Sequence, residues 1–228
     1  MEANHNEVRF DCPLCRGGAD FLTNAAKRPI WACPYCRLRF VPAAFHLPLE
    51  QEKARYGLHR NTREDQGYVR MLMEAVDLFK ELSPGRAASP TVLDFGCGPA
   101  PVLVDLLREA GFLATGYDPF FAPATDLSHG YDAVVSTETF EHFRRPREDV
   151  GQAVSLVKPG GLLVVMTAWH DSVGDLATWH YALDATHVAF YSRGTFDFIA
   201  RQWNLRIRAH NGRNLVALER RPGWCPSA

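Results

Sequence analysis

The 228-residue sequence predicts an α/β fold: a Rossmann-like, doubly wound and mostly parallel sheet with an antiparallel C-terminal hairpin. Three observations carry this. Apolar runs (TVLDF, FLATGYD, DAVVS, LLVVMT) alternate with helical stretches from residue 91 onward, and such alternation indicates parallel strands covered on both faces. A glycine turn, Gly96-Cys97-Gly98, follows the first of these runs. Ahead of them, four cysteines in two C-x-x-C pairs mark a small separate unit.

That unit, residues 1–45, reads as a zinc ribbon. Cys12 and Cys15 are separated from Cys33 and Cys36 by seventeen residues, within the spacer of about 15–20 typical of such sites. Two cysteine turns close a tetrahedral thiolate site, and with all four positions filled by protein the zinc is structural. The alternatives are two disulfides, which a reducing cytoplasm disfavours, and a redox motif, which would need a β-α-β pattern near Cys12. Cys97 and Cys225 have no partner by spacing and read as a packed thiol and a tail residue. A unit this small cannot build its own core, so metal binding there supplies folding free energy.

Residues 46–89 read as a helical connector. Two helices are predicted between Leu49 and Leu82, the second with Tyr68, Leu72, Ala75, Val76 and Phe79 on one face. The turn-rich SPGRAASP closes this region. Residues 90–228 form the main domain. TVLDF is a buried strand, and PVLVDLLREAG is a helix with Pro101 in its first turn and Gly111 as its stop. FLATGYD and DAVVS are further strands, a helix follows from about Glu148 to Val157, and LLVVMT is a strand after the KPGG turn. Thr195 to Trp203 reads as a helix, and LRIRAH and NLVALER pair around Asn211-Gly212-Arg213.

Composition excludes some classes. The net charge is −1 and 46% of residues are apolar, so there is no whole-chain bias toward nucleic acid or acidic lipid. No apolar run approaches the roughly 20 residues that span a bilayer, and MEANHNEVRF lacks the apolar segment of a secretory signal. A cytoplasmic protein without a membrane partner is expected; the oligomeric state is not written in the sequence.

Bare backbone at Gly96 and Gly98 lets a ligand approach the end of the first strand. A dinucleotide fingerprint would need glycine at position 101, where Pro101 stands, and this argues against a nicotinamide oxidoreductase. Asp118 ends the second strand twenty residues after Gly98, where an acid accepts ribose hydroxyls. Any nucleoside cofactor could use these two features. With Asp94 before the glycines, YDAVVSTETFEHF and LVKPGGLLVV, however, the sequence resembles the class I S-adenosylmethionine-dependent methyltransferases over about residues 90–220. The resemblance implies that Asp94 and the Gly96, Cys97 and Gly98 backbone hold the methionine end of S-adenosylmethionine. It implies that Asp118 binds the ribose; Pro119 and Thr137 complete the expected cofactor-binding set. Ala100 departs from the family's third glycine. Only thirteen residues separate Asp118 from Asp132, so Asp126-Leu127 is the expected remnant of the adenine-side wall.

Glu138, Glu141 and His142 in TETFEHF would share one face of a helix by their i, i+3, i+4 spacing. The arrangement resembles that of metal-dependent O-methyltransferases, in which a distant histidine completes the site; His187 is the candidate here. The resemblance implies a catalytic site of Glu138, Glu141, His142 and His187 that could take Mg or Mn. The alternative is that the two glutamates are helix-start acids and His142 alone touches substrate. The long stretch holding Trp169, His170, Trp179, His180, Tyr181, Asp184, His187 and Tyr191 reads as a binding loop. WHYALDATHVAFYSRGTF and HLPLEQEKARYGLHRN resemble a bacterial group of zinc-ribbon methyltransferases, which implies that Tyr56, His59 and Asn61 of the 46–89 connector help cover the cofactor; the alternative is a surface helix. The expected function is methyl transfer to an oxygen of a small-molecule or macromolecular acceptor. RNA is an alternative acceptor but not the favoured one: seven arginines against two acids from Arg193 to Arg221 could face phosphates, though a solvated edge is preferred. A catalytically inert binding module is the second alternative.

Overall fold

The computed structural model of the chain describes residues 9–58, 61–83 and 89–223. It contains a six-stranded sheet and a five-stranded one. The larger sheet is built from β5 (Thr91–Phe95), β6 (Leu113–Tyr117), β7 (Tyr131–Thr137), β8 (Val157–Met166), β10 (Leu205–His210) and β11 (Leu215–Arg220), in the order β10-β11-β8-β7-β5-β6. β6, β5, β7 and β8 run parallel, and β11 and β10 are antiparallel. The terminal hairpin therefore forms one edge, as expected.

The parallel strands alternate strictly because side chains leave a strand on opposite faces. Val92, Ala133, Val135, Leu162 and Val164 face α2 (Gln66–Leu82) and α3 (Val102–Glu109). Leu93, Val134, Leu163 and Val165 face α4 (Pro146–Ser155) and α6 (Arg193–Gln202). The apolar stripe expected on α2 is the buried one, with Leu72, Ala75, Val76 and Phe79 fully enclosed. Asp65 starts that helix by accepting from the Gly67 and Tyr68 amides at 2.8 and 3.0 Å, satisfying two of the four amides a helix start leaves unbonded. Ser192 and Thr195 form a reciprocal capping box at the start of α6.

The smaller sheet begins with β1 (Phe10–Asp11), β2 (Gly18–Ala25), β3 (Arg28–Ala32) and β4 (Arg39–Phe40). Its fifth strand, β9 (Ala189–Phe190), comes from the far end of the chain and pairs antiparallel with β4. The apolar residues of this unit, among them Leu14, Trp31, Leu38 and Phe40, share one buried cluster with Phe140, Trp169, Tyr191 and Phe196. A core too small to stand alone is thereby continued into the main one.

α1 (Leu49–Tyr56) crosses the carboxyl ends of the parallel strands, and α5 (His180–Leu183) is a single turn within the long loop before β9. β6 and β7 flank β5 on opposite sides. Strand order thus reverses at β5, and the crevice beyond such a reversal is where open α/β sheets bind ligands. No helix among the described residues is long and apolar enough to cross a membrane.

Candidate functional site

A cavity of about 840 Å³ opens at that reversal, within the range of small-molecule sites. Asp94, Gly96, Cys97, Gly98, Asp118, Pro119, Thr137, Glu138, Glu141, His142 and His187 all line it. The glycine turn leaves β5 with Gly96 at φ 93° and Gly98 at φ 63°, and the Gly96 and Cys97 amides donate to the Tyr117 carbonyl at 2.8 and 3.0 Å. A side chain at Gly96 would meet Thr139 Cγ2 and Oγ1 at 2.3 and 2.4 Å, whereas nothing lies within 4 Å of one at Gly98. The first glycine is demanded by packing as well as by backbone; the second by its left-handed backbone alone.

Asp94 is 2% exposed, and its Oδ1 has no hydrogen-bond partner among the described residues. Burial, followed by the nearby Asp118 charge, pushes its carboxyl up to about 8. A buried unpaired acid facing a cavity is the donor set a ligand cation would complete. Asp118 accepts from the Gly98 amide at 3.1 Å and from the Phe120 and Phe121 amides at 2.8 and 3.1 Å. It therefore clamps the glycine turn onto the next loop; a carboxylate has about four acceptor sites, so one remains for a ligand hydroxyl. Burial first, then the two aspartates, raises the Cys97 thiol to about 12, which leaves it protonated at neutral pH.

The opposite wall departs from the helical reading of TETFEHF. Only Phe140–His142 form a single 3₁₀ turn, and Glu138 sits before it with φ 48°. The left-handed residue breaks the i, i+3, i+4 alignment. Glu138 accordingly stands outside the group that draws together: one ligand atom each of Glu141, His142 and His187 lie within 4.8 Å of one another. Burial first, then Glu141, raises the Glu138 carboxyl to about 9. Glu141 is fully buried; its Oε2 accepts from Thr167 Oγ1 at 2.8 Å, and its Oε1 has no hydrogen-bond partner among the described residues. His142 Nδ1 lies 3.1 Å from the Thr186 carbonyl and His187 Nδ1 2.7 Å from the Tyr181 carbonyl. A carbonyl only accepts, so both Nδ1 atoms carry a proton. Burial lowers His187 to about 4, so its ring is neutral at physiological pH.

Other sequence expectations divide. Tyr56 and Asn61 line the cavity, and the Tyr56 ring meets His142 edge-on at 5.0 Å; His59 and Cys225 lie outside the described residues. Asp126 and Leu127 are not in the wall. Asp126 is exposed, and Leu127 packs against the core, because the 118–130 segment is irregular and turns Phe120 and Phe121 into the cavity instead. Those two phenylalanines, with Glu52 and Arg144 (paired at 3.0 Å), were missed; the FF dipeptide directly after Asp118-Pro119 was the available signal for the first two. In the long loop, His180, Tyr181, Asp184 and His187 reach the cavity, while Trp169 and Tyr191 are core residues and His170 bonds the Arg37 carbonyl at 3.0 Å. Of the C-terminal arginines, Arg206 and Arg208 pair with Glu219, Arg193 with Asp197 and Arg213 with Glu74.

Cys12, Cys15, Cys33 and Cys36 form the other cluster, their sulfur atoms within 4.8 Å of one another. Cys12–Cys36 and Cys15–Cys33 contacts are both 3.4 Å, far beyond the roughly 2.05 Å of a disulfide and close to the edge of a tetrahedron with zinc–sulfur bonds of about 2.3 Å. The two C-P-x-C-R turns are built alike, with Arg16 and Arg37 at φ 64° and 63° and their amides returning to the Cys12 and Cys33 carbonyls. The site is compatible with zinc. Elemental analysis of natively purified protein is expected to find about one zinc per chain, and Cys33→Ser should abolish it.

Gly96→Ala should destabilise by about 2–5 kcal/mol, combining left-handed strain with the Thr139 overlap. Gly98→Ala should cost only about 1–2 kcal/mol. Adding Thr139→Ala to the Gly96 variant should recover the packing part; denaturant midpoints with no such recovery would contradict the contact.

A sequence-family model described as a methyltransferase domain matches residues 66–210, more than half of the chain. No curated protein sequence matches. Among solved structures, the fold is similar to Burkholderia thailandensis 1,6-didemethyltoxoflavin-N1-methyltransferase, with bound 1,6-didemethyltoxoflavin and S-adenosylhomocysteine, at 14% identity and TM-score 0.57, covering 89% of this chain and 100% of that one. It is also similar to a structure of the Haloferax volcanii Trm112 methyltransferase activator in complex with the putative methyltransferase, at 13% identity and TM-score 0.50, covering 75% and 98%. An O-methyltransferase family protein from Burkholderia thailandensis aligns at 18% identity and TM-score 0.49 over 80% of this chain, which spans 65% of that protein. At such identities the first two likenesses speak for the fold alone. The match over residues 66–210, with which the glycine-turn cavity at the sheet's reversal agrees, shows that the chain belongs to the methyltransferase-domain family, the class I S-adenosylmethionine-dependent methyltransferases.

Proposed function

We propose that the chain transfers a methyl group from S-adenosylmethionine to an oxygen of its acceptor, with Glu141, His142 and His187 preparing that oxygen. The observation that carries this reading is that two incomplete polar sets line one cavity: the orphaned Asp94 beside the glycine turn, and the orphaned Glu141 Oε1 beside two histidines whose Nδ1 atoms face backbone carbonyls. The first set suits the cofactor and the second the acceptor.

On the cofactor side, Asp94 meets the α-ammonium, the Gly96–Gly98 backbone accommodates the methionine end, and Asp118 takes the ribose with its remaining acceptor site. Tyr117, Pro119, Phe120 and Phe121 supply apolar walls for the adenine, and Thr137 closes the end of β7. Bound there, S-adenosylmethionine supplies an electrophilic methyl on a positively charged sulfur. Alignment of the acceptor with that methyl accounts for most of the barrier reduction, about 7–11 kcal/mol where reactants are held in attack geometry.

On the acceptor side, His142 Nε2 takes the hydroxyl proton as the oxygen–methyl bond forms, and its Nδ1–H stays on the Thr186 carbonyl. His187 Nε2 and Glu141 Oε1 only accept, so they would hold the acceptor's oxygen through a bound cation rather than directly. With His142 as a third ligand in place of its role as base, the three atoms form a His₂-carboxylate set that fits a divalent ion; two imidazoles favour Mn or Zn over Mg, which prefers oxygen ligands. Such an ion would lower the pKa of the acceptor hydroxyl. Glu138, protonated at neutral pH, is a hydrogen-bond donor rather than a ligand here.

Two tests follow. Asp94 is largely neutral before binding and ionised beside an ammonium, so binding at pH 7 should release a proton and tighten as pH rises toward 8. Calorimetry in buffers of different ionisation enthalpy reads this release, which Asp94→Asn should abolish. Labelled-methyl transfer to phenols, aliphatic alcohols, amines and RNA should place the methyl on oxygen, and His142→Ala should lower kcat by about 10²–10⁴ while S-adenosylhomocysteine affinity is kept. Label appearing on nitrogen or on an RNA base would overturn the oxygen assignment.

A further inference from the structure

The β2–β3 hairpin of the cysteine-bound unit turns through Ala26 and Lys27, both at positive φ (47° and 65°), as a two-residue hairpin turn requires. Ala25 pairs with Arg28 across it, so Arg28 leaves the tip of the hairpin. Its guanidinium enters the loop that carries His187. Nη1 donates to the carbonyls of Ala185 and His187 at 3.1 and 3.0 Å; Nη2 donates to those of Ala182 and Asp184 at 2.8 and 2.6 Å. The side chain does not line the cavity, so it has no direct part in binding.

Two further carbonyls of the same segment do another job. Tyr181, just before those four, and Thr186, among them, accept from Nδ1 of His187 and of His142. One stretch of chain thus turns four carbonyls to Arg28 and two to the histidines of the acceptor wall. A planar fork with fixed donor directions suits this, because it sets the loop's conformation rather than only attracting it. A parallel backbone path leads from the same unit: the Val41 amide bonds the Val188 carbonyl at 2.9 Å, and the Val188 amide bonds the Glu141 carbonyl at 2.8 Å.

We propose that Arg28 is a positioning residue: through the 182–187 loop it fixes the tautomer and orientation of His142 and His187, so that the cysteine-bound unit holds the acceptor half of the site in register. The proposal rests on the reading of these histidines as acceptor-side groups. Partners of metal- or substrate-facing histidines typically matter by ~10–100-fold in metal affinity or activity, although they touch neither.

The test uses the full chain labelled with ¹⁵N-histidine, as native protein, Arg28→Ala and Arg28→Lys. Long-range imidazole spectra near neutral pH should show Nδ1–H at both His142 and His187 in the native protein. Arg28→Ala should lose that single-tautomer pattern at both, with zinc content and S-adenosylhomocysteine affinity retained, and Arg28→Lys, which lacks the fork, should lie between. Mn²⁺ alone serves as a second probe, its affinity expected to fall ~10–100-fold in Arg28→Ala. Unchanged tautomers in the Ala variant overturn the proposal, even if stability drops; should that variant not fold, unchanged tautomers in the Lys variant do so. Failure of the native protein to bind Mn²⁺ would remove the divalent ion from the proposed function, while the tautomer readout would still decide the role of Arg28.

Discussion

Two short backbone pairings, Arg39 with Phe190 and Phe40 with Ala189, join the cysteine-bound sheet to the loop that follows β8. Without them that loop would hang from the sheet edge with only local support. With them, β9 is the fifth strand of the sheet whose turns gather the four cysteines, and the residues just before β9 are held against that sheet. His187 and Val188 are those residues, and Val188 bonds the backbone of Glu141. The order of one half of the cavity therefore comes from a unit remote in sequence, and a single buried cluster running from Leu14 to Phe196 makes the two sheets one packed body.

The second feature of the molecule is the number of acids it keeps in low dielectric around one crevice. Asp94, Asp118, Glu138 and Glu141 are enclosed there. Burial disfavours the charged forms of Asp94 and Glu138, which are raised for that reason first and by a neighbouring acid second. Asp118 is treated differently, with three backbone amides on its carboxylate. Orphaned acceptors such as Asp94 Oδ1 and Glu141 Oε1 cost stability, and they persist in native proteins chiefly where a ligand completes them. On the proposed function, Asp94 Oδ1 would meet a cationic guest on one side and Glu141 Oε1 a hydroxyl or metal ion on the other.

Much of this architecture was legible in the residues themselves. Strand runs such as TVLDF and LLVVMT are short, apolar and bounded by turn-formers, and that continuous apolar pattern, expected of strands buried on both faces, carried them to the correct elements. The cysteine spacing depends only on local turns, which is why both C-P-x-C-R turns could be recognised from four residues each. The glycine turn was equally local: a left-handed backbone at Gly96 and Gly98 is a property of a few consecutive residues. Cofactor-side candidates lie at the ends of predicted strands, and a parallel sheet brings those ends to one edge whatever the loops do.

What failed or went unseen depends on three-dimensional context. A left-handed Glu138 broke the helical spacing, because its amide is taken by the Met166 carbonyl at the end of β8, a contact no local pattern announces. Phe120 and Phe121 replaced Asp126-Leu127 because an irregular segment follows whatever its side chains can bury. Arg28 lies more than 150 residues from the carbonyls it holds, and β9 is two residues long. Sequence by itself determined the elements, the cysteine cluster and the edge of the sheet where chemistry would sit, since periodicity and turn chemistry act over a few residues. Only tertiary structure decided which acids and histidines converge and what holds them, since those contacts are made across the chain, and no local preference records them.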